Sequence, residues 1–148
     1  MELKPYQHIR KHFLKETIDL FDKSTQEKIE AFDVSIGLDE KILDAVKKYL
    51  KAYNAYLEAQ KQNKVTLRYY QILAIYFTEA FFRNRDNKEF EVFAKSALAY
   101  WMATGSGKTM IMHINVFQFI DHTKGFKDLE IIITTPGVNL IHQHEREV

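Results

Sequence analysis

The chain has 148 residues, which suits one ordinary domain or a small domain with an appendage. Hydrophobic residues make up 46% and aromatic residues 14%, enough for a real core and too much for a disordered chain. The 21 basic side chains are balanced by 20 acidic ones, so a nucleic-acid partner must be held by a local patch, and the absence of cysteine excludes disulfides and thiolate metal sites.

The N-terminus has no hydrophobic signal core, and no apolar run approaches the length of a membrane span. A soluble, cytoplasmic protein without a membrane partner is the expectation. Residues 1–65 are polar, charged and helical in pattern, and from residue 66 the character changes. This predicts a helical N-terminal extension over 1–65 and a second unit over 66–148.

In chain order, the spacing of Ile9, Phe13, Ile18 and Phe21 predicts a first helix ending before Lys23. Residues 32–37 alternate and suit a short extended piece or a loop, broken by Gly37. Leu38, Ile42, Val46, Tyr49, Leu50, Tyr53 and Leu57 then mark one face of an amphipathic helix. Asp39 and Glu40 at its start complement the helix dipole. Its other face carries Lys41, Lys47, Lys48, Lys51 and Lys61, which read first as a solvated surface and second as phosphate contacts.

Residues 72–77 predict an almost wholly apolar helix that must be covered on most sides, ended by the polar residues 83–88. Residues 97–101, Ala-Leu-Ala-Tyr-Trp, suit a buried strand. Residues 110–117 suit the first turns of a helix. After a polar connection over 121–127, residues 129–135 read as a β-branched strand closed by Pro136 and Gly137, and 138–148 as another helix. Strand, helix, strand, helix predicts an α/β fold with a parallel sheet. His8 and His12, and likewise His142 and His144, lack a third ligand at metal spacing, so no metal-ligating cluster is expected of them.

Between the first strand and its helix, residues 102–109 read Met-Ala-Thr-Gly-Ser-Gly-Lys-Thr. That context is what a phosphate-binding loop requires. Thr104, Gly105, Ser106 and Gly107 form the curl, in which the glycines let successive amides point at one anion. The helix N-terminus adds partial positive charge. Lys108 supplies an ammonium between the β- and γ-phosphates, and Thr109 a hydroxyl to Mg²⁺. Met102 stands where the common pattern has a glycine.

Three segments together resemble superfamily 2 helicases and translocases. Residues 67–71, Leu-Arg-Tyr-Tyr-Gln, resemble their adenine-recognition motif. The loop over 102–109 resembles their motif I, and residues 131–143 resemble motif Ia. Within that superfamily the likeness is closest to the type III restriction enzyme Res family. The resemblance implies the first part of a RecA-like domain, ATP and Mg²⁺ as cofactors, and adenine recognition by Arg68 and Gln71. It also implies Lys108 and Thr109 as catalytic residues, with Thr109 the Mg²⁺ ligand. Thr135, Pro136 and Gly137 would touch DNA, bound weakly by these residues alone, and a methyltransferase or specificity subunit would partner a full-length relative.

No acidic metal-binding motif II follows, since Asp128 and Glu130 precede a strand instead of ending one. No arginine finger or second lobe is evident. The expectation is an N-terminal piece of a longer motor, competent to bind ATP and not to hydrolyse it. A different phosphate-loop enzyme and a non-catalytic interaction module are the alternatives. The first lacks support, because residues 87–90 (Asn-Lys-Glu-Phe) break the guanine-recognition pattern at its last position.

Overall fold

The computed structural model describes residue 14, residues 18–85 and residues 98–124. Within them are four α-helices: α1 (Lys23–Glu30), α2 (Glu40–Ala59), α3 (Tyr69–Asn84) and α4 (Lys108–His122), with a short 3₁₀ turn at Val34–Ile36. Helices α2, α3 and α4 pack against one another, and α1 packs on α3.

The expected α/β class with its incomplete parallel sheet is corrected here, because the described residues contain helices and no strand. Residues 98–101, expected as a buried strand, are non-helical and pair with no ladder. Leu98 and Tyr100 are exposed, and Trp101 is fully so at 104%. An extended segment becomes a strand only when a neighbour takes its amides and carbonyls. The segment expected as the next strand, residues 129–135, lies outside the described residues, as do residue 97, the helix over 138–148 and the four histidines above.

Helix α1 is a second correction. Residues 23–30 are helical where the pattern predicted an end. Asp22 is the N-cap, its carboxylate accepting the Thr25 amide at 2.8 Å. The predicted helix through Ile9 and Phe13 falls outside the described residues, and Phe21 is exposed. Within residues 32–37, Val34–Ile36 form the 3₁₀ turn. Asp33 accepts the Ser35 amide at 2.9 Å, and Gly37 ends the turn at φ 82°.

Helix α2 follows its periodicity. Ile42, Val46, Tyr49, Tyr53 and Leu57 are buried, while Lys41, Lys47, Lys48 and Lys51 face solvent. Asp39 caps it, its side chain accepting the Ile42 amide at 3.1 Å. The Asp39 amide in turn donates to the Tyr76 hydroxyl of α3 at 3.0 Å. One buried tyrosine therefore fixes the start of α2 against the middle of α3.

Helix α3 is buried almost all round, with Ile72, Ile75, Tyr76 and Ala80 fully so. Each large apolar side chain sealed there contributes roughly 1.5–3 kcal/mol. Of its buried polar residues, Glu79 is 1% exposed and fully engaged. Glu79 accepts from Arg83 Nε at 2.8 Å and from Gln118 Nε2 at 3.2 Å, and His122 Nε2 stands at 3.1 Å. Arg83 also donates to the Lys41 carbonyl at 3.2 Å. This junction ties the end of α3 to α4 and to the start of α2. Burial, with the charges of Glu79 and Asp121, pushes the Tyr49 hydroxyl above its ordinary value.

Lys48 of α2 forms an ion pair with Asp121 of α4, and Lys124 pairs with the same carboxylate. Hydrogen bonds from Lys124 and Lys48 lower the Asp121 carboxyl from 3.8 to about 2. A carboxyl depressed in the folded state stabilises it fully above its unfolded value, and the benefit is lost as pH falls toward 2. Exchanging Lys48→Met should therefore cost less than about 1 kcal/mol at neutral pH, because water screens the pair. The difference from wild type should shrink as pH falls through about 2. Urea denaturation at both pH values checks this.

Candidate functional site

The loop leading into α4 is built from its glycines and its lysine. Gly105 and Gly107 lie in the left-handed region, at φ 77° and φ 84°. Between them the chain turns, with the Ser106 amide donating to the Ala103 carbonyl at 3.2 Å. Gly107 is the N-cap of α4. The first-turn amides that follow, starting with Lys108 and Thr109, have no intrahelical acceptor. Alternating backbone of this kind forms a concave nest of amides, and the helix dipole adds to it.

Lys108 reaches back across the curl, its ammonium donating to the carbonyls of Met102 at 3.0 Å and Ala103 at 2.8 Å. An ammonium has three N–H groups, so one remains for an incoming anion. The buried Ser106 hydroxyl has no hydrogen-bond partner among the described residues. An anion in the nest could accept from it.

Gln71, at the start of α3, holds this loop from behind. Its side-chain carbonyl accepts the Arg68 amide at 2.8 Å, and its Nε2 donates to the Ser106 carbonyl at 2.8 Å. Gln71 is buried, and both ends of its amide are bonded within the protein. A Cβ on Gly107 would lie 2.5 Å from Gln71 Nε2, so the absence of a side chain there permits the bond to the loop. Arg68 is mostly exposed, with its guanidinium 4.0 Å from Glu30 of α1. Glu30 also accepts the Tyr69 amide at 3.2 Å, placing negative charge at the N-terminus of α3.

A cleft of about 730 Å³ runs beside the loop, between it and α3. Tyr70, Leu73, Phe77 and Trp101 line it together with Thr104 to Ser106. Sequence reasoning missed this aromatic wall, because it read residues 97–101 as buried. Tyr100 holds that segment in place. Thr78 donates its hydroxyl to the Ala74 carbonyl at 2.8 Å, so the Tyr100 hydroxyl must donate to Thr78. The Asn115 amide donates to Tyr100 at 3.1 Å. Burial of that hydroxyl raises it above the ordinary tyrosine value.

The structure thus brings Arg68, Gln71, Thr104, Gly105, Ser106, Gly107, Lys108 and Thr109 into one region. Thr135, Pro136 and Gly137 lie outside the described residues. No group of three or more histidines, aspartates or glutamates that could hold a metal occurs among the described residues.

A family model for the res subunit of type III restriction enzymes matches residues 64–148. The chain belongs to that family. Membership links it to the ATP-dependent, helicase-like motors of restriction enzymes, and so to DNA. The res-subunit match starts next to Arg68 and takes in Gln71 and the whole loop. No curated protein and no solved structure matches the chain. No helix of the described residues is long and apolar enough to cross a membrane.

The bond from Gln71 to the loop makes the two glycines unequal. Gly107→Ala meets strained backbone and collides with Gln71, whereas an alanine Cβ at position 105 meets open space. Both lose the ease of positive φ, at about 1 kcal/mol or more. Gly107→Ala should be the more destabilising by about another 1 kcal/mol, and Gln71→Ala in the same chain should reduce that excess. Denaturation of the three variants tests the coupling.

Proposed function

We propose that these 148 residues are the ATP-binding portion of a DNA-dependent motor of the restriction type, with the phosphates held by the loop at 104–109. The observation that carries this reading is the nest at Gly105 and Gly107, with the Lys108 ammonium drawn across it. Thr104, Gly105, Ser106 and Gly107 would wrap the phosphates, and Lys108 would neutralise charge on them. Thr109, on the first turn of α4, is the residue that would offer a hydroxyl to Mg²⁺. The cleft beside the loop lies within the size range of ordinary ligand sites and has aromatic walls for a base.

Gln71 and Arg68 sit at the edge of this site. With the Gln71 amide bonded to Arg68 and Ser106, its contribution here is to position the loop, and a direct reading of adenine would require it to exchange one of those bonds. The division into an extension over 1–65 and a nucleotide-binding unit over 66–148 is functional in this reading, since α2, α3 and α4 pack together across it. Thr135, Pro136 and Gly137 are the proposed DNA contacts of the second unit. In a full-length relative a methyltransferase or specificity subunit would supply sequence recognition.

These residues by themselves should bind ATP without turning it over. Phosphoryl transfer needs an acid-held metal, an oriented water and positive charge on the transition state. Lys108 and Thr109 cover only part of that set. Binding that holds ground state and transition state equally gives affinity without rate.

Trp101 is the chain's single tryptophan and lines the cleft, so its fluorescence reports occupancy directly. Adding Mg-ATP should change that signal. Lys108→Ala should weaken binding by roughly 2–4 kcal/mol, the loss of a charge-assisted phosphate contact. Equal affinity in wild type and variant would remove the loop from the site. Phosphate release should stay at background with or without DNA, and DNA-stimulated release lost in Lys108→Ala would show a complete active site instead.

A further inference from the structure

We infer that the groove on the solvent face of α2 is a second binding site, for the phosphate backbone of duplex DNA. The groove encloses about 410 Å³ and is lined by Lys47, Leu50, Lys51, Asn54, Glu58 and Lys64. Most of it precedes residue 64, where the family match begins. The inference rests on the DNA-dependent motor reading above for its choice of partner, and on this groove for its location.

Spacing puts the lysines together. Lys47 and Lys51 are four apart on α2, and Leu50 and Asn54 repeat that step beside them. Lys64 arrives from the other side, on the segment that links α2 to α3. Asn54 fixes that segment with two bonds: its Nδ2 donates to the Val65 carbonyl at 3.0 Å, and its Oδ1 accepts the Val65 amide at 2.8 Å. The third lysine is therefore held across the groove by an anchor next to it, which lowers the cost of ordering it on a ligand.

The charge balance inside the groove favours a polyanion. Three lysines face one lining carboxylate, Glu58, which pairs with Lys64 at 3.3 Å. Lys47 pairs with Asp44, three residues earlier on α2, at 3.3 Å. All four of these side chains are well exposed, and such pairs are worth little, so a phosphate can replace either carboxylate. The Lys51 ammonium has no hydrogen bond or ion pair among the described residues. The half-buried Leu50 gives the floor an apolar stretch for the sugar edge. Cations on both sides of a shallow apolar floor suit a sugar–phosphate backbone better than one small anion, because sequence-independent DNA binding is mostly lysine and arginine contact to phosphates.

The test is fluorescence anisotropy with an end-labelled duplex at several salt concentrations. The proteins are wild type, Lys51→Glu, Lys47→Glu with Lys51→Glu, and Lys23→Glu as a control of equal charge change on exposed α1. Each phosphate contact contributes about 0.9 to the logarithmic salt slope. Lys51→Glu should weaken binding several-fold and lower that slope by about 1. The double variant should lose more, and the control should match wild type. Circular dichroism should be unchanged, since the altered lysines face solvent. Equal affinity and slope in wild type and the double variant would overturn the groove, as would absence of duplex binding by wild type or an equal loss in the control. Mg-ATP binding, followed through Trp101 on the same proteins, separates the two sites. Duplex binding lost in Lys51→Glu supports the groove even where no protein binds nucleotide, a result that would strike the phosphate loop alone.

Discussion

Helix α3 has too little polar surface to face water, and covering it organises the rest of the molecule. Ile72, Leu73, Ile75, Thr78 and Phe81 point to different sides of one cylinder, and all are buried. A helix apolar around most of its circumference needs neighbours on most of it. Helices α1, α2 and α4 supply them. The polar groups that α3 carries into this core are each satisfied by a neighbour: Tyr76 by the Asp39 amide, Glu79 by Arg83 and Gln118, and Gln71 by Arg68 and Ser106. Burial therefore gives the packing its energy, and these polar contacts fix which residue meets which.

The candidate site inherits its geometry from that arrangement. Gln71 lies in the first turn of α3 and reaches the loop that starts α4, so the phosphate-cradling curl is tied to the start of α3. Position 107 needs glycine for two reasons. The backbone there is left-handed, and Gln71 occupies the space a side chain would fill. The lysine that follows closes the curl from the front through two loop carbonyls. Pre-set amides and a pre-set ammonium lose little on meeting a phosphate, which is the physical basis of affinity at such loops.

The two faces of α2 show how one helix serves both needs. Its apolar stripe seals against α3 and α4, and its lysines stay in water. On the lysine side, the reciprocal Asn54–Val65 bonds bring Lys64 back over the helix and turn a flat cationic face into a groove. The stripe was readable from spacing alone. The groove was not, because Lys64 returns over α2 through a link after Ala59 whose path no local pattern specifies.

The sequence by itself determined the strongly periodic and chemically constrained parts. The buried stripe of α2, its Asp39 cap, the apolar α3 and the glycine–lysine loop opening α4 follow from spacing and from side-chain chemistry, which act over a turn or two of chain. The family could also be read there, from the motif order over residues 67–143. The sequence misjudged α1, whose signal was the Asp22 cap and not an apolar stripe. It also misjudged residues 98–101, where apolar composition suggested a strand. A strand is a property of two segments, and no composition guarantees the second. Only the tertiary structure decided that Trp101 faces solvent, that the Tyr100 hydroxyl is fastened between α3 and α4, and that the Gln71 amide spends both ends on the protein. Each of those outcomes is set by residues distant in the chain, where local spacing has no reach.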